Sequence, residues 1–173
     1  NNYGVVDARD KKMLGNSYPR TVLGIDANLQ YKNWGLYILG TAELGLNVWK
    51  NNAYYQNKGE GKYSVLALDR WHPENNPNGT YPRLTTTEGE NNFVNSSFWL
   101  GNGSYFRLKN VELSYTITNK KENALAKKIK IFGRGTNLFF LSKEKDLDPE
   151  LINAGINNYP VYRTLTGGVT VTF

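Results

Sequence analysis

Three carboxylates stand at alternate positions in the segment DLDPE, which contains Asp146, Asp148 and Glu150. Carboxylate oxygens are the ligands that Ca²⁺ prefers, so this run could supply part of a calcium site. The same composition is more often a turn whose shape is fixed by its proline. We therefore interpret the run as part of a loop and expect no metal site.

The one histidine of the chain, His72, lies in the segment RWHPENNPNGTYPRLT. The sequence has no second histidine and no cysteine, so neither a zinc cluster nor a cysteine–histidine pair can be assembled around it. We expect His72 to shape a loop, and we expect no catalytic residue and no cofactor. The sequence therefore predicts a protein that is not an enzyme.

Ligand binding by stacking is possible in the same segment, where Trp71, Tyr81 and Arg83 lie close together in sequence. Flat aromatic and guanidinium faces can stack on sugar rings or on peptide groups. Packing within the loop explains these residues at least as well. Nucleic acid is not expected as a partner: the net charge is +6, but the basic residues are scattered outside the run at 119–130.

The elements that carry these residues are predicted to be β-strands, because apolar and polar residues alternate along them. In TVLGIDANLQYK, for example, Leu23, Ile25 and Leu29 share one face, while Asp26 and Asn28 share the other. The chain is also rich in glycine (17) and tyrosine (12), as is typical of strands and their turns. We predict an all-β fold with strands near 20–32, 35–49, 105–118, 129–140 and 162–173.

Charged side chains lie on the polar faces of these strands, namely Asp26, Glu43, Glu112 and Arg134. In the third strand, Phe106 and Leu108 have the opposite parity to Val111 and Leu113. A β-bulge inserts one residue and changes the facing, so we predict either a bulge or a change of environment near Lys109 and Asn110.

Short and long connections alternate between the predicted strands, and the long ones cover 50–104 and 141–161. Several strands reach the roughly 9–11 residues that cross a bilayer. This pattern favours a transmembrane antiparallel β-barrel whose long loops are extracellular, although the strands of a soluble β-sandwich alternate in the same way.

Two aromatic girdles are predicted, formed by Tyr31, Trp34 and Phe173 at one edge and by Trp49, Tyr54 and Tyr55 at the other. Because so few strands cannot close a barrel, we expect the chain to be one part of a larger wall.

The sequence resembles the C-terminal part of the SusC/RagA-like TonB-dependent outer-membrane transporters of the Bacteroidetes. The matching stretches occur in the family's order and cover almost the whole chain: DARDKKMLGNSYPRTVLGIDANLQYKNWGLYILG, RWHPENNPNGTYPRLT, SYFRLKNVELSYTI, GRGTNLFFLSKEKDLDPE and YPVYRTLTGGVTVTF. The resemblance implies about the last five strands of a 22-stranded barrel with a plugged lumen. It also implies that Phe173 is the C-terminal signal for outer-membrane assembly.

The same resemblance implies the partners and the role. The expected partners are a SusD-like surface lipoprotein that closes the extracellular mouth, the remainder of the barrel and its plug, outer-membrane lipids, and the TonB complex acting through parts outside this chain. The expected substrate is a glycan or an oligopeptide. The four charged residues would then face the lumen and contact the plug or the substrate, while Trp71, Tyr81 and Arg83 would contact the substrate or the lid. A β-rich surface adhesin or ligand-binding module is the alternative function.

Overall fold

The structure is a computed structural model that describes residues 8–85, 91–121 and 125–173. The predicted loop 50–104 and the basic run 119–130 therefore lie partly outside the described residues. Helical structure in the described part is limited to short 3₁₀ turns, and no helix there is long and apolar enough to cross a membrane.

Five long strands form one antiparallel sheet in the order β1-β2-β5-β6-β7. A separate pair, β3 and β4, lies in the loop region. The strand bounds, in chain order, are β1 Thr21–Tyr31, β2 Trp34–Leu44, β3 Asn47–Trp49, β4 Leu100–Asn102, β5 Tyr105–Thr118, β6 Lys128–Ser142 and β7 Thr164–Thr172.

The second strand is shorter than the sequence predicts, which corrects the expected strand 35–49. It ends at Leu44 because Gly45 has a φ of 77°, a left-handed conformation that glycine adopts readily and that takes the chain out of the sheet. The following residues Asn47–Trp49 pair with Leu100–Asn102 instead. The predicted loop 50–104 therefore contains a strand of its own.

The bulge predicted in the third long strand is confirmed. Lys109 has no partner in the registers with β2 and β6, where the pairing passes from Leu108 directly to Asn110. On β6 the chain accommodates the shift at Asn137, whose φ of 50° is also left-handed. As a result Phe106 and Leu108 lie on the same face as Val111 and the apolar residues beyond it.

The register gives the sheet one apolar face and one polar face. Many side chains of the apolar face are exposed, including Leu29 at 60%, Leu113 at 50% and Leu165 at 80%. In the described part of the chain, β1 and β7 each pair on one side only. An exposed apolar face with two open edges is costly in water, so it favours a segment of a larger wall that borders lipid.

The long connections pack into a compact structure, which we call the loop unit (residues 45–85, 91–104 and 143–163). Its core contains Val48, Tyr55, Tyr81, Trp99 and Ile152, with Trp49 and Tyr54 packed against it. The predicted girdle of Trp49, Tyr54 and Tyr55 is therefore wrong, since Tyr55 is 1% exposed inside this core. At the opposite end of the sheet Trp34 packs edge-to-face on Tyr115, with ring centroids 4.9 Å apart.

Candidate binding face and loop anchor

The register places the four charged residues predicted to line an interior on one face of the sheet, which we call the polar face. Glu112 lies directly opposite Arg134, and Glu43 lies opposite Tyr105. Asp26 accepts a hydrogen bond of 3.3 Å from the Tyr37 hydroxyl on the neighbouring strand. The structure thus brings Glu112 and Arg134 into contact and leaves Asp26 and Glu43 with separate neighbours.

Glu112 is the centre of an ionic cluster between β5 and β6. Its carboxylate accepts hydrogen bonds from Lys130 Nζ at 2.7 Å and from Arg134 Nε at 2.9 Å. The carboxylate side chain is 9% exposed, whereas the side chains of Lys130 and Arg134 are 42% and 46% exposed. Two cations share one carboxylate, so the cluster of Glu112, Lys130 and Arg134 has one positive charge in excess.

A second cluster joins the sheet to the loop unit, and we call it the loop anchor. Arg107, only 1% exposed, forms an ion pair with Asp148, and its Nε lies 3.2 Å from Glu150 Oε1. Glu150 Oε1 also accepts hydrogen bonds from Lys109 Nζ at 2.6 Å and from the Tyr105 hydroxyl at 3.1 Å. Lys109 is the bulge residue, so the bulge supplies one of the cations of this cluster.

The contacts of the loop anchor change the pKa of the Glu150 carboxyl group. Burial raises the pKa of Glu150, but the hydrogen bond from Lys109 and the positive charges of Arg107 and Lys109 outweigh it. The pKa of this carboxyl group is therefore lowered from its ordinary value. Glu150 remains charged at neutral pH and holds the loop against the strand.

Two of the three carboxylates of the run at 146–150, Asp148 and Glu150, thus bind cationic side chains of the sheet. No cluster of three or more histidine, cysteine, aspartate or glutamate residues suited to a metal occurs among the residues that the structure describes. Sequence reasoning missed Arg107, although it found the bulge beside it. Two basic residues at a bulge, at the same end of the sheet as a carboxylate-rich loop, are a signal that could have indicated the pairing.

Further contacts tie the two long connections to each other within the loop unit. Lys50 forms an ion pair with Glu144. Asn52 Nδ2 donates to the Ile152 carbonyl at 2.6 Å, and the Trp49 amide donates to Asn153 Oδ1 at 3.3 Å. The loop anchor therefore fixes both connections to the sheet, one directly and one through the other.

The three residues predicted to contact a ligand or lid have different environments. Tyr81 is 6% exposed, and its hydroxyl accepts a hydrogen bond from the Asn57 amide and donates one to the Tyr55 carbonyl, both at 2.8 Å. Tyr81 therefore packs and hydrogen-bonds within the core of the loop unit. Trp71 is 41% exposed, and Arg83 is also on the surface.

The segment around His72 is a hydrogen-bonded turn. His72 Nδ1 accepts hydrogen bonds from the backbone amides of Glu74 and Asn75, at 3.2 and 3.1 Å. Asp69 accepts from the side chain and the amide of Thr80, and these hydrogen bonds lower the pKa of its carboxyl group. His72 thus shapes a loop, as its isolation in the sequence predicts.

Phe173 follows the last residue of β7 and is 76% exposed. Its parity is that of Val169 and Val171, which belong to the apolar face. It lies at the end of the sheet that carries the Trp34–Tyr115 pair, away from the loop unit.

These features together define an antiparallel sheet with one apolar face, one polar face and a loop unit anchored at one end. No protein-family model matches the chain. Along its whole length it is 31% identical to TonB-dependent receptor P26 of Formosa agariphila and 25% identical to TonB-dependent receptor SusC of Bacteroides thetaiotaomicron. The chain spans only 19% and 17% of the length of these two relatives.

Solved structures show the same fold. The chain superimposes on a chain of the RagAB peptide importer in its closed-closed state with a TM-score of 0.73 and 21% identity, covering 99% of this chain and 20% of the other. For the open-open state the TM-score is 0.70 and the identity 21%, with 92% of this chain and 18% of the other covered. The chain is therefore similar along its whole length to part of TonB-dependent receptors that include SusC, as its motifs predict, and it shares its fold with a segment of the RagAB importer. Both relatives are named as receptors, and neither is named as an enzyme.

Proposed function

We propose that this chain forms part of the wall of a TonB-dependent outer-membrane transporter that imports glycans or oligopeptides. The observation that carries the proposal is the division of the sheet into an exposed apolar face and a charged polar face, with a packed loop unit at one end. Lipid can cover the apolar face, while the polar face borders a lumen. The remainder of a barrel of about 22 strands would pair with the open edges of β1 and β7.

In this arrangement the loop unit is extracellular, and the strand end near Phe173 is periplasmic. The Glu112 cluster and Asp26 face the plug. The two cations around Glu112 suit an acidic side chain of the plug. Trp71 and Arg83 lie on the surface of the loop unit, where a substrate or a SusD-like lipoprotein lid can reach them. Tyr81 supports this surface from the core. Energy from the TonB complex enters through parts of the transporter outside this chain.

The orientation of the two faces can be tested by single-cysteine labelling, because this segment contains no native cysteine. Leu29→Cys places a spin label on the apolar face, and Asn28→Cys is the matched control on the polar face of the same strand. In the full-length protein in bilayers, we expect collisions with oxygen to broaden the Leu29 signal and those with a water-soluble nickel chelate to broaden the Asn28 signal. Equal access of the chelate to both positions would contradict a lipid-facing sheet and favour a surface adhesin.

A role in assembly is proposed for Phe173, because it ends the apolar face with an exposed aromatic ring. Deletion of Phe173 should lower the amount of folded transporter in the outer membrane, whereas Phe173→Tyr should preserve it. Quantitative immunoblotting of outer-membrane fractions, with and without heating, measures folded and unfolded protein. Equal amounts of folded protein in the deletion and the wild type would remove this role.

A further inference from the structure

A cavity of about 500 Å³ lies between the polar face and the loop unit. The loop anchor forms one of its walls, and strands β2 and β5 form another. Its lining includes Thr41, Glu43, Tyr105, Lys109, Glu150 and Asn153. The contacts described above for the loop anchor therefore also describe the polar groups on one side of the cavity.

The charges around this cavity are unequally paired. Glu150 lies against Lys109 and Arg107, and Asp148 lies against Arg107. Glu43 forms no ion pair with any lysine or arginine among residues 8–85, 91–121 and 125–173. Among the described residues, the partly buried carboxylate of Glu43 therefore faces the cavity with no lysine or arginine at ion-pair distance.

The Tyr105 hydroxyl is a hydrogen-bond neighbour of Glu43, and a second polar group beside Glu43 lacks a partner in the described part of the chain. Thr41 Oγ1 is buried and forms no hydrogen bond within the described part of the chain. Thr41 and Glu43 are two residues apart on β2, so their side chains share a face and their Cα atoms lie about 6.6 Å apart. One small donor group placed between them could reach both oxygens.

We propose that this cavity binds a primary ammonium group of the transported substrate, with Glu43 as its counterion and Thr41 as a second acceptor. An ammonium is compact and donates three hydrogen bonds, and a charge-assisted bond to a partly buried carboxylate is among the stronger polar contacts. Lys109 is not an equal counterion for Glu43 and Glu150, because its Nζ already forms an ion pair with Glu150 at 2.6 Å. The inference rests on the proposed transport function and adds a chemical preference to it.

The ammonium can come from a lysine side chain of an oligopeptide or from an amino sugar of a glycan. The peptide probe is Ac-Ala-Ala-Lys-Ala-Ala-NH₂, and its control carries acetyl-lysine at the same position. The glycan probe is a glucosamine trimer, and its control is the N-acetylglucosamine trimer. Each control removes the positive charge and keeps the backbone of the ligand.

Binding is measured by isothermal titration calorimetry on the full-length transporter with its partner lipoprotein. We expect one charged probe to bind more tightly than its acetylated control, and Glu43→Gln to weaken only the charged probe, by about 10- to 100-fold. The matched control is Glu60→Gln, which makes the same change at an exposed carboxylate of the loop unit outside the cavity and should change neither. Thr41→Val should weaken the charged probe by a smaller factor, and it provides the test if Glu43→Gln fails to assemble.

Three results would overturn the proposal. Equal affinity of the wild type for charged and acetylated probes, or binding of neither, would show no ammonium preference. Equal weakening of both by Glu43→Gln would indicate a general disturbance of the cavity. A lowered unfolding temperature in Glu43→Gln, with unchanged binding of the charged probe, would indicate that a cation of the plug already occupies the site. Failure of the transport function itself is separate, because it appears as absent uptake of every glycan and peptide by wild-type cells.

Discussion

The polar face carries two ionic clusters built from the same residue types but in different surroundings. In the Glu112 cluster all three residues belong to neighbouring strands, and the side chains of Lys130 and Arg134 are 42% and 46% exposed. In the loop anchor, Arg107 is 1% exposed, and its carboxylate partners come from a loop. The Glu112 cluster therefore lies within a sheet whose strands are already paired, whereas the loop anchor connects the sheet to the loop unit.

Burial decides how much each cluster contributes to stability. An exposed ion pair is worth about 0–1 kcal/mol, because water screens the charges and the long side chains lose entropy. Removal of one partner from a buried pair costs about 3–5 kcal/mol, because the remaining charge has neither water nor a counterion. We therefore expect the loop anchor to control the loop unit and the Glu112 cluster to serve recognition.

The largest effect is expected from Arg107→Met. The substitution keeps an extended side chain but leaves Asp148 without its cation and Glu150 with Lys109 alone. We expect the loop at 143–163 to lose about 3–5 kcal/mol of stability against local opening. Hydrogen–deuterium exchange of this loop in the full-length protein measures the change.

The triple variant Arg107→Met, Asp148→Asn, Glu150→Gln is the control for this prediction. It removes the charge of Arg107 together with those of its two carboxylate partners and leaves Lys109, so it should recover part of the protection that Arg107→Met loses. Exchange at 143–163 that is the same in Arg107→Met and the wild type would show that the anchor does not hold the loop.

A smaller effect is expected from acid, and its sign follows from the lowered pKa of Glu150. A carboxyl group with a lowered pKa in the folded state contributes stability above its unfolded pKa of about 4.3, and this contribution is lost as pH falls through the folded value. Protection of the loop at 143–163 should therefore be constant between pH 7 and pH 6 and should decline below about pH 4. Proteolysis with an acid-active protease at several pH values measures this decline.

Glu150→Gln provides the comparison for the acid experiment. The amide cannot titrate, so the variant should start with a less protected loop and lose less of its protection in acid. A decline of the same size in both proteins would assign the acid response to other carboxyl groups.

The two clusters also show what the sequence could predict. Alternation reports the local period of two, so it assigned Glu112 and Arg134 to one face, and the break in parity located the bulge at Lys109. The loop anchor was out of reach, because Arg107 and Asp148 are 41 residues apart and meet through the path of a loop. A period-two pattern contains no information on that path.

The loop unit was poorly predicted for the same reason. Tyr81 and Trp71 are both aromatic residues of one segment, yet Tyr81 enters the core and Trp71 does not. The early end of β2 depends on the conformation of Gly45, and glycine alone does not specify a left-handed turn. Side-chain burial in a loop depends on contacts that composition cannot rank.

The smallest effect is expected from Glu112→Gln. The two cations that it leaves are nearly half exposed, so water can replace the carboxylate, and the free energy of unfolding should fall by less than about 1 kcal/mol. The midpoint temperature at which the full-length protein loses its heat-modifiable mobility on gels measures this, and Ser114→Ala on the same strand is the matched control. The difference from wild type should shrink further at high salt.

A loss of stability as large as that of Arg107→Met would contradict the contrast between an exposed and a buried cluster, since it would mean that the plug excludes water from this part of the polar face. In that case the Glu112 cluster would also connect two parts of the transporter.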